Sequence, residues 1–175
     1  MVIASYMAEF TDLEQVWMVV SPQNPLKQQS SLLQDHHRLE MVRLAIGDYR
    51  GIKPSRVEFT LPRPSYTIDT LTHLREQHPE HTFVLIMGSD NIATIHKWKN
   101  YEAILEQYQI YVYPRPGFVP ADGLQHPKVR IIPDVPLMEL SSTFIRAAIR
   151  ERKDIRFMLP QEVYRYIDEM NFYRK

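Results

Sequence analysis

The sequence contains no cysteine, although it has 175 residues. Disulfides, cysteine-based zinc sites and thiol nucleophiles are therefore excluded, and the composition is compatible with a reducing cytoplasm, where we expect the protein to act. Charge of one sign is also not in excess, since 21 Lys and Arg balance 21 Asp and Glu. Without a basic surplus, nucleic acid is not an expected partner.

Long apolar runs are missing too, and no segment approaches the length that crosses a bilayer, so we expect no membrane partner. The first residues lack the basic start and apolar core of a signal peptide. The seven histidines show no HExxH or other familiar metal-ligand spacing, and neither a Walker loop, a GxGxxG loop nor a GxSxG elbow is present. Several common catalytic classes are therefore excluded.

Short apolar segments alternate with helical patterns along the chain. The predicted strands are Val16–Val20, Val57–Leu61, Phe83–Met87, Ile110–Tyr113 and Val129–Ile132. The predicted helices are Val2–Phe10, Asp35–Tyr49, Thr67–Gln77, Tyr101–Glu106, Thr143–Arg150 and Glu162–Met170. This alternation predicts a single α/β domain over residues 1–175, with a doubly wound parallel sheet covered on both faces.

Hydroxyl side chains precede an arginine at the predicted start of the penultimate helix. Ser141, Ser142 and Thr143 lie where backbone N–H groups are unpaired, and Arg146 follows on the same helix face. Such a helix start favours an anion, and the arginine could pair with a phosphate. The alternative is an ordinary N-cap followed by a solvated arginine.

A second hydroxyl cluster, Pro64-Ser65-Tyr66-Thr67, precedes the helix Thr67–Gln77. Ser65 or Thr67 can cap this helix, and capping alone explains these residue types. The same hydroxyl and N–H groups could instead receive a small carboxylate or phosphate.

Glycine and aspartate follow the clearest predicted strand. Gly88 permits close approach of a ligand to the backbone, and Asp90 could accept from ribose hydroxyls or organise a metal-bound phosphate. A tight turn with an aspartate N-cap is the equally weighted alternative.

Three further residues lie in predicted loops past strand ends. Trp98 could stack on an aromatic ring or plug a hydrophobic edge. Arg115 and Lys27 could pair with phosphates or project into water.

Taken in order, these motifs resemble one family, the bacterial nicotinate-nucleotide adenylyltransferases of the nucleotidylyltransferase superfamily. The resemblance extends over essentially the whole chain, to the tail at Leu159-Pro160, Tyr166-Ile167 and Phe172-Tyr173. The hydroxyl–arginine motif is shared across the superfamily, whereas Ser-Tyr-Thr and the tryptophan after Gly-Ser-Asp are typical of the nicotinate-nucleotide branch. The resemblance implies a nucleotidylyltransferase type of Rossmann-like sheet.

The resemblance also implies an enzyme of NAD biosynthesis, whose partners are ATP and nicotinate mononucleotide. The acceptor phosphate would attack the α-phosphorus of ATP and release pyrophosphate, with Mg²⁺ neutralising the polyphosphate and no protein side chain binding the metal. On the donor side, the residues implied to bind ATP are Ser141, Ser142, Thr143, Arg146, Asp90 and Gly88. Of these, Arg146 and Ser142 would act in catalysis.

For the acceptor, the resemblance implies a carboxylate-reading site. Thr67 and the backbone near Trp98 and Lys99 would receive the nicotinate carboxylate, with Trp98 stacking on the pyridine ring and Tyr66 alongside. Lys27 and Arg115 are further expected contacts. Such a site would prefer nicotinate to nicotinamide, because the amide brings donors to donors.

One departure from the family concerns its opening strand and G-x-F-x-P-x-H-x-G-H segment, which have no counterpart here. We therefore expect an N-terminally truncated domain that lacks the first strand and the family's histidine pair, with severely reduced turnover. The alternatives are a non-catalytic nucleotide-binding module, an adenylyltransferase acting on phosphopantetheine or nicotinamide mononucleotide, and a plain α/β scaffold.

Overall fold

The computed structural model describes residues 1–22, 33–117 and 126–174. Seven α-helices and five strands lie within these residues. The helices are α1 (Val2–Phe10), α2 (Asp35–Ile46), α3 (Thr67–Gln77), α4 (Ser89–Ile92), α5 (Tyr101–Gln107), α6 (Ser142–Arg150) and α7 (Gln161–Glu169). The strands are β1 (Val16–Val19), β2 (Ile52–Ser55), β3 (Val84–Gly88), β4 (Gln109–Tyr113) and β5 (Val129–Ile131). Two short 3₁₀ helices cover Val57–Thr60 and Ile95–Lys97. None of these helices combines the length and the apolar character that crossing a membrane requires.

The chain divides into two compact units. Unit 1 comprises Met1–Met18, Leu33–Ser55 and Met138–Lys175, and unit 2 comprises Val19–Leu32 and Arg56–Leu137. A two-stranded sheet joins β1 to β2, and a three-stranded sheet has the order β3-β4-β5. Both pairings in the latter sheet are parallel, which confirms the predicted parallel α/β arrangement.

The core of unit 2 lies between its sheet and helices α3 and α5. Its centre is apolar and almost free of solvent, with Ile104, Ile110 and Val112 fully buried. Tyr66 and Trp98 pack against this same core from its margin. The core therefore fixes the start of α3 and the segment after β3 relative to one another.

The core of unit 1 is helical. Helix α6 buries Ile145, Ala148 and Ile149 against Val163 and Ile167 of α7, with α2 packed alongside. The spacing of the three α6 residues places them on one helix face, as expected of an amphipathic helix. Arg146 consequently lies at the margin of the buried face, half-buried.

One predicted strand is wrong. Val57–Leu61 shows the apolar alternation of a strand, but Val57–Thr60 forms a 3₁₀ helix, and the strand lies earlier, at Ile52–Ser55. The carboxylate of Glu58, buried within this 3₁₀ segment, accepts a hydrogen bond from Thr70 on α3 at 2.9 Å. A tertiary contact thus competes with the local strand pattern.

Helix α2 is also shorter than predicted, since it ends at Ile46 and not at Tyr49. Gly47 follows with φ +59° and ψ −129°, a combination that is essentially restricted to glycine. The remaining predicted elements form within about two residues of their expected bounds.

Candidate active site

Two groups of candidate side chains lie in unit 2, and a third lies in unit 1. The strand-end group comprises Gly88, Ser89, Asp90 and Arg115. The α3 group comprises Ser65, Tyr66, Thr67, Trp98 and Lys99. The α6 group comprises Ser141, Ser142, Thr143 and Arg146. Lys27, a predicted contact, lies outside the described residues.

The strand-end group forms where β3 and β4 end side by side, because the two strands are parallel with Gly88 opposite Tyr113. The fully buried hydroxyl of Ser89 accepts a hydrogen bond from the backbone N–H of Arg115 at 2.8 Å. The Arg115 guanidinium returns to Asp90 Oδ2 at 3.1 Å. The chain after β4 is thereby tied to the chain after β3.

Asp90 has one carboxylate oxygen in use and one buried without a hydrogen-bond partner, Oδ1. Asp90 does not cap α4, so the predicted N-cap alternative is wrong. An unpartnered buried carboxylate oxygen is costly unless a donor reaches it. Asp90 Oδ1 therefore keeps an unused acceptor capacity within the strand-end group.

Gly88 is crowded by neighbouring side chains, whereas its backbone conformation suits any residue. Its φ of −79° and ψ of 160° are ordinary extended values. A Cβ there would come within 3.1 Å of Arg115 Cδ and closer still to Asp90 Oδ1. The close approach that the sequence suggested is therefore made by the side chains of Asp90 and Arg115.

The α3 group begins with a helix start that has no side-chain cap. Tyr66 occupies the N-cap position, and neither Ser65 nor Thr67 donates or accepts a capping hydrogen bond, so the predicted capping is wrong. The Ser65 hydroxyl is buried with no partner. The first N–H groups of this eleven-residue helix thus keep their capacity to bind an anion.

Lys99 connects the segment after β3 to the start of α3. Its ammonium pairs with Asp69 of α3 at 2.8 Å and lies 4.7 Å from the centre of the Tyr66 ring. The adjacent Trp98 is half-buried, and its indole N–H is buried without a partner. Trp98 packs as the hydrophobic edge residue that the sequence allowed, and it also presents a spare donor.

In the α6 group, Ser141 is the N-cap, and its hydroxyl accepts from the N–H of Phe144 at 3.1 Å. This part of the cap interpretation is confirmed. Ser142 and Thr143 occupy the first turn, and both are exposed. Arg146, which that interpretation expects to be solvated, is half-buried, and its guanidinium lies 6.0 Å from the centre of the Tyr173 ring.

Tyr173 belongs to the C-terminal tail and is a functional candidate that sequence reasoning missed. Burial raises the pKa of its phenol, while the positive charges of Arg146 and Arg38 partly offset that rise. The phenol therefore stays neutral at physiological pH, and its ring faces a cation at a distance suited to cation–π attraction. An aromatic residue near the chain end carries no sequence signal for this role.

No protein cage for a divalent metal accompanies these groups. Within residues 1–22, 33–117 and 126–174, no set of three His, Asp or Glu side chains converges at the strand ends or at the start of α6. Magnesium requires oxygen ligands in octahedral geometry, and nucleotide phosphates supply them readily.

The cytidylyltransferase-like family model matches residues 1–148 of this chain. A protein of Flavobacterium johnsoniae named "Probable nicotinate-nucleotide adenylyltransferase" is 56% identical over 177 residues, covering 100% of this chain and 91% of its own length. A protein of Flavobacterium psychrophilum with the same name is 52% identical over 177 residues, again covering 100% of this chain and 91% of its own length. The structure of Plasmodium falciparum nicotinic acid mononucleotide adenylyltransferase complexed with NaAD superposes with a TM-score of 0.78 at 21% identity, covering 99% of this chain and 90% of that one.

Proposed function

This chain belongs to the cytidylyltransferase-like family and, within it, to the nicotinate-nucleotide adenylyltransferases, and we propose that it joins ATP to nicotinate mononucleotide. A phosphate oxygen of the mononucleotide forms a bond to the α-phosphorus of ATP. The bond from that phosphorus to the bridging oxygen breaks, and pyrophosphate leaves. The products are nicotinate adenine dinucleotide and pyrophosphate.

The observation that carries this proposal is the set of unpartnered polar atoms in the α3 group. Ser65 Oγ and Trp98 Nε1 are both buried and lack hydrogen-bond partners, beside a helix start without a side-chain cap. Such groups are expensive to bury, and a carboxylate at the start of α3 would give the Ser65 hydroxyl an acceptor. Nicotinate carries a carboxylate on an aromatic ring, which also suits the face of an indole.

In this proposal the α3 group binds the acceptor. Thr67, the first N–H groups of α3 and the backbone near Trp98 and Lys99 receive the carboxylate, and Trp98 stacks on the pyridine ring. Lys99 adds positive charge at this position while it remains paired with Asp69. Tyr66 lines the same site, and Lys27 and Arg115 are further contacts.

The residues proposed for the donor are Ser141, Ser142, Thr143 and Arg146 in unit 1, and Gly88 and Asp90 in unit 2. Ser142, Thr143 and the N–H groups that open α6 hold the phosphates of ATP, after the Ser141 cap, and Arg146 balances the charge that builds as pyrophosphate leaves. Asp90 accepts from the ribose beside Gly88. Catalysis in such a reaction consists mainly of positioning and charge stabilisation, which these groups can provide.

Magnesium enters as the Mg²⁺–ATP complex, since among the described residues no three His, Asp or Glu side chains converge at the strand ends or at the start of α6. Its contribution is to neutralise the polyphosphate. The protein groups then need only to orient the two phosphates in line.

Calorimetry with the acid and amide mononucleotides tests the acceptor assignment on the full chain. We expect nicotinate mononucleotide to bind at least about tenfold more tightly than nicotinamide mononucleotide, because the amide of the latter would place its N–H donors against the donors of the site. Thr67→Val should weaken binding of the acid, whereas Thr72→Val, on the same helix, is the control and should leave it unchanged. Equal binding of acid and amide would contradict the proposal.

The donor assignment has its own measurement. Pyrophosphate and the dinucleotide product are followed after Mg²⁺–ATP and nicotinate mononucleotide are mixed with the chain. Product that appears only with the acid acceptor supports the assignment. Saturable heat with phosphopantetheine and none with nicotinate mononucleotide would instead indicate another branch of the superfamily.

A further inference from the structure

Three potential metal ligands meet on the turn between α3 and β3, apart from the side chains assigned above. They are His78, Glu80 and His81, and their ligand atoms all lie within 4.8 Å of one another. Glu80 Oε1 is central, at 3.5 Å from His78 Nδ1 and 3.5 Å from His81 Nε2. Within the residues that the structure describes, no other three such side chains converge in this way.

The backbone of this turn is fixed at both of its ends. The N–H of His78 donates to Leu74 O at 2.9 Å and so closes the last turn of α3. The N–H of His81 donates to His78 O at 3.0 Å, with Pro79 between them. This i to i+3 bond, with proline in the second position, is typical of a tight β-turn, so the three side chains start from a stiff frame.

The two imidazole rings are also supported. Phe83 meets His78 edge-on at 6.4 Å between ring centres and His81 at 6.1 Å. Phe83 itself packs against the core of unit 2. Metal sites hold their ligands best when the neighbouring shell restrains ring orientation, and Phe83 provides that restraint.

We propose that His78 Nδ1, His81 Nε2 and a Glu80 carboxylate oxygen bind a divalent zinc ion. Zinc bonds to nitrogen and carboxylate oxygen are about 2.0–2.1 Å, so tetrahedral ligand atoms lie about 3.3 Å apart. The two observed nitrogen–oxygen separations already approach that value. The third separation, between the two imidazole nitrogens, is at most 4.8 Å and shortens when both bind the ion.

The donor set selects the class of metal. Two imidazoles favour zinc and the neighbouring transition metals over magnesium or calcium, which take oxygen ligands. Glu80 supplies negative charge, and its pKa lies below the ordinary value because its own backbone N–H donates to it, with a further contribution from the two histidines. All three side chains are partly accessible, from 33% for His78 to 60% for Glu80, so zinc can enter, and solvent completes its coordination.

Isothermal titration of the untagged full chain with zinc chloride tests this site. One zinc ion per chain should bind saturably in a buffer without chelating groups. His81→Gln and Glu80→Gln should each weaken binding by about tenfold or more, since each removes one of three ligands. The control is His73→Gln, on α3 and outside the cluster, which should bind zinc like the parent.

Cobalt substitution adds a readout that a folding defect cannot imitate. Co²⁺ bound by nitrogen and oxygen in a four-coordinate site should give visible absorption bands that vanish on addition of zinc and are absent in Glu80→Gln. Circular dichroism of each variant confirms that the fold is retained. Unchanged zinc binding in both His81→Gln and Glu80→Gln, or an equal loss in His73→Gln, would overturn the proposal.

Discussion

Replacing Gly88 by alanine tests the packing of the strand-end group most directly. The added Cβ would meet Arg115 Cγ at 3.3 Å and Cδ at 3.1 Å, and it would press on the carboxylate of Asp90. Since the backbone angles of Gly88 suit any residue, the whole effect is steric. Overpacking of this kind costs about 1–3 kcal/mol.

The magnitudes decide how the strain is relieved. The pair between Asp90 and Arg115 is 25% and 46% exposed, and ion pairs this accessible contribute at most about 1 kcal/mol. Strand β3 is hydrogen-bonded along its length and packs into the core, so moving it costs more. The ion pair should therefore separate first, and Gly88→Ala should lose about 1 kcal/mol of stability and about tenfold in ATP affinity.

Urea unfolding and calorimetry with ATP measure the two effects. Gly47→Ala is the matched control, because a Cβ there meets nothing within 4 Å and the cost, about 1–3 kcal/mol, comes from its positive φ alone. That variant should lose stability and keep its ATP affinity. The reasoning is refuted if Gly88→Ala unfolds and binds ATP like the parent, or if both variants lose ATP affinity equally.

Three other changes address the remaining groups. Trp98→Ala removes the ring that we propose to stack on the pyridine and should weaken nicotinate mononucleotide binding by about tenfold, since stacking of an aromatic side chain on a base is worth about 1–3 kcal/mol. Trp17→Ala, outside the α3 group, is the control and should leave that binding unchanged; calorimetry on both variants decides. Arg146→Lys keeps the positive charge but loses the planar guanidinium, and it should reduce ATP affinity by about tenfold. The control is Arg150→Lys on the same helix, which should leave ATP affinity unchanged. Equal effects of the two changes would contradict the assignment. Burial raises the pKa of the Tyr173 phenol, so the folded state keeps that proton to a higher pH than the unfolded state, and the free energy of unfolding should fall as pH rises above about 10. Tyr173→Phe should lessen this fall, as measured by urea unfolding between about pH 9 and 11. An unchanged pH dependence would exclude Tyr173 as its source.

Local sequence pattern was sufficient for most helices and strands. Helix α3 begins and ends at its predicted residues, and β3 lies within one residue of its predicted bounds. The exception, β2, contains Pro54, which usually argues against a strand. In a sheet of two strands each strand is an edge, so a residue without an N–H can be accommodated there, a circumstance that only the assembled fold reveals.

The sequence predicted which residues belong to the candidate site, but it could not predict whether their polar atoms have hydrogen-bond partners. The motifs identified Ser65, Asp90 and Trp98, yet no pattern could show that each keeps a buried polar atom without a partner. That property depends on which neighbours pack around the side chain. Ser65 is the clearest example, because a serine before a helix is ordinarily read as its cap, whereas here it is not the cap.

The histidine–glutamate turn shows a different limit of sequence reasoning. The spacing of His78, Glu80 and His81 matches no regular helix or strand periodicity, since the three side chains converge through a tight turn. Only the folded turn brings the three side chains together.

The position of Tyr173 has a practical consequence for anyone who handles this protein. Its ring supports the Arg146 guanidinium although only two residues follow it in the sequence. An affinity handle fused after residue 175 would therefore begin close in sequence to the aromatic partner of an arginine that we propose to bind phosphate, and weakened nucleotide binding in such a fusion would then reflect the handle.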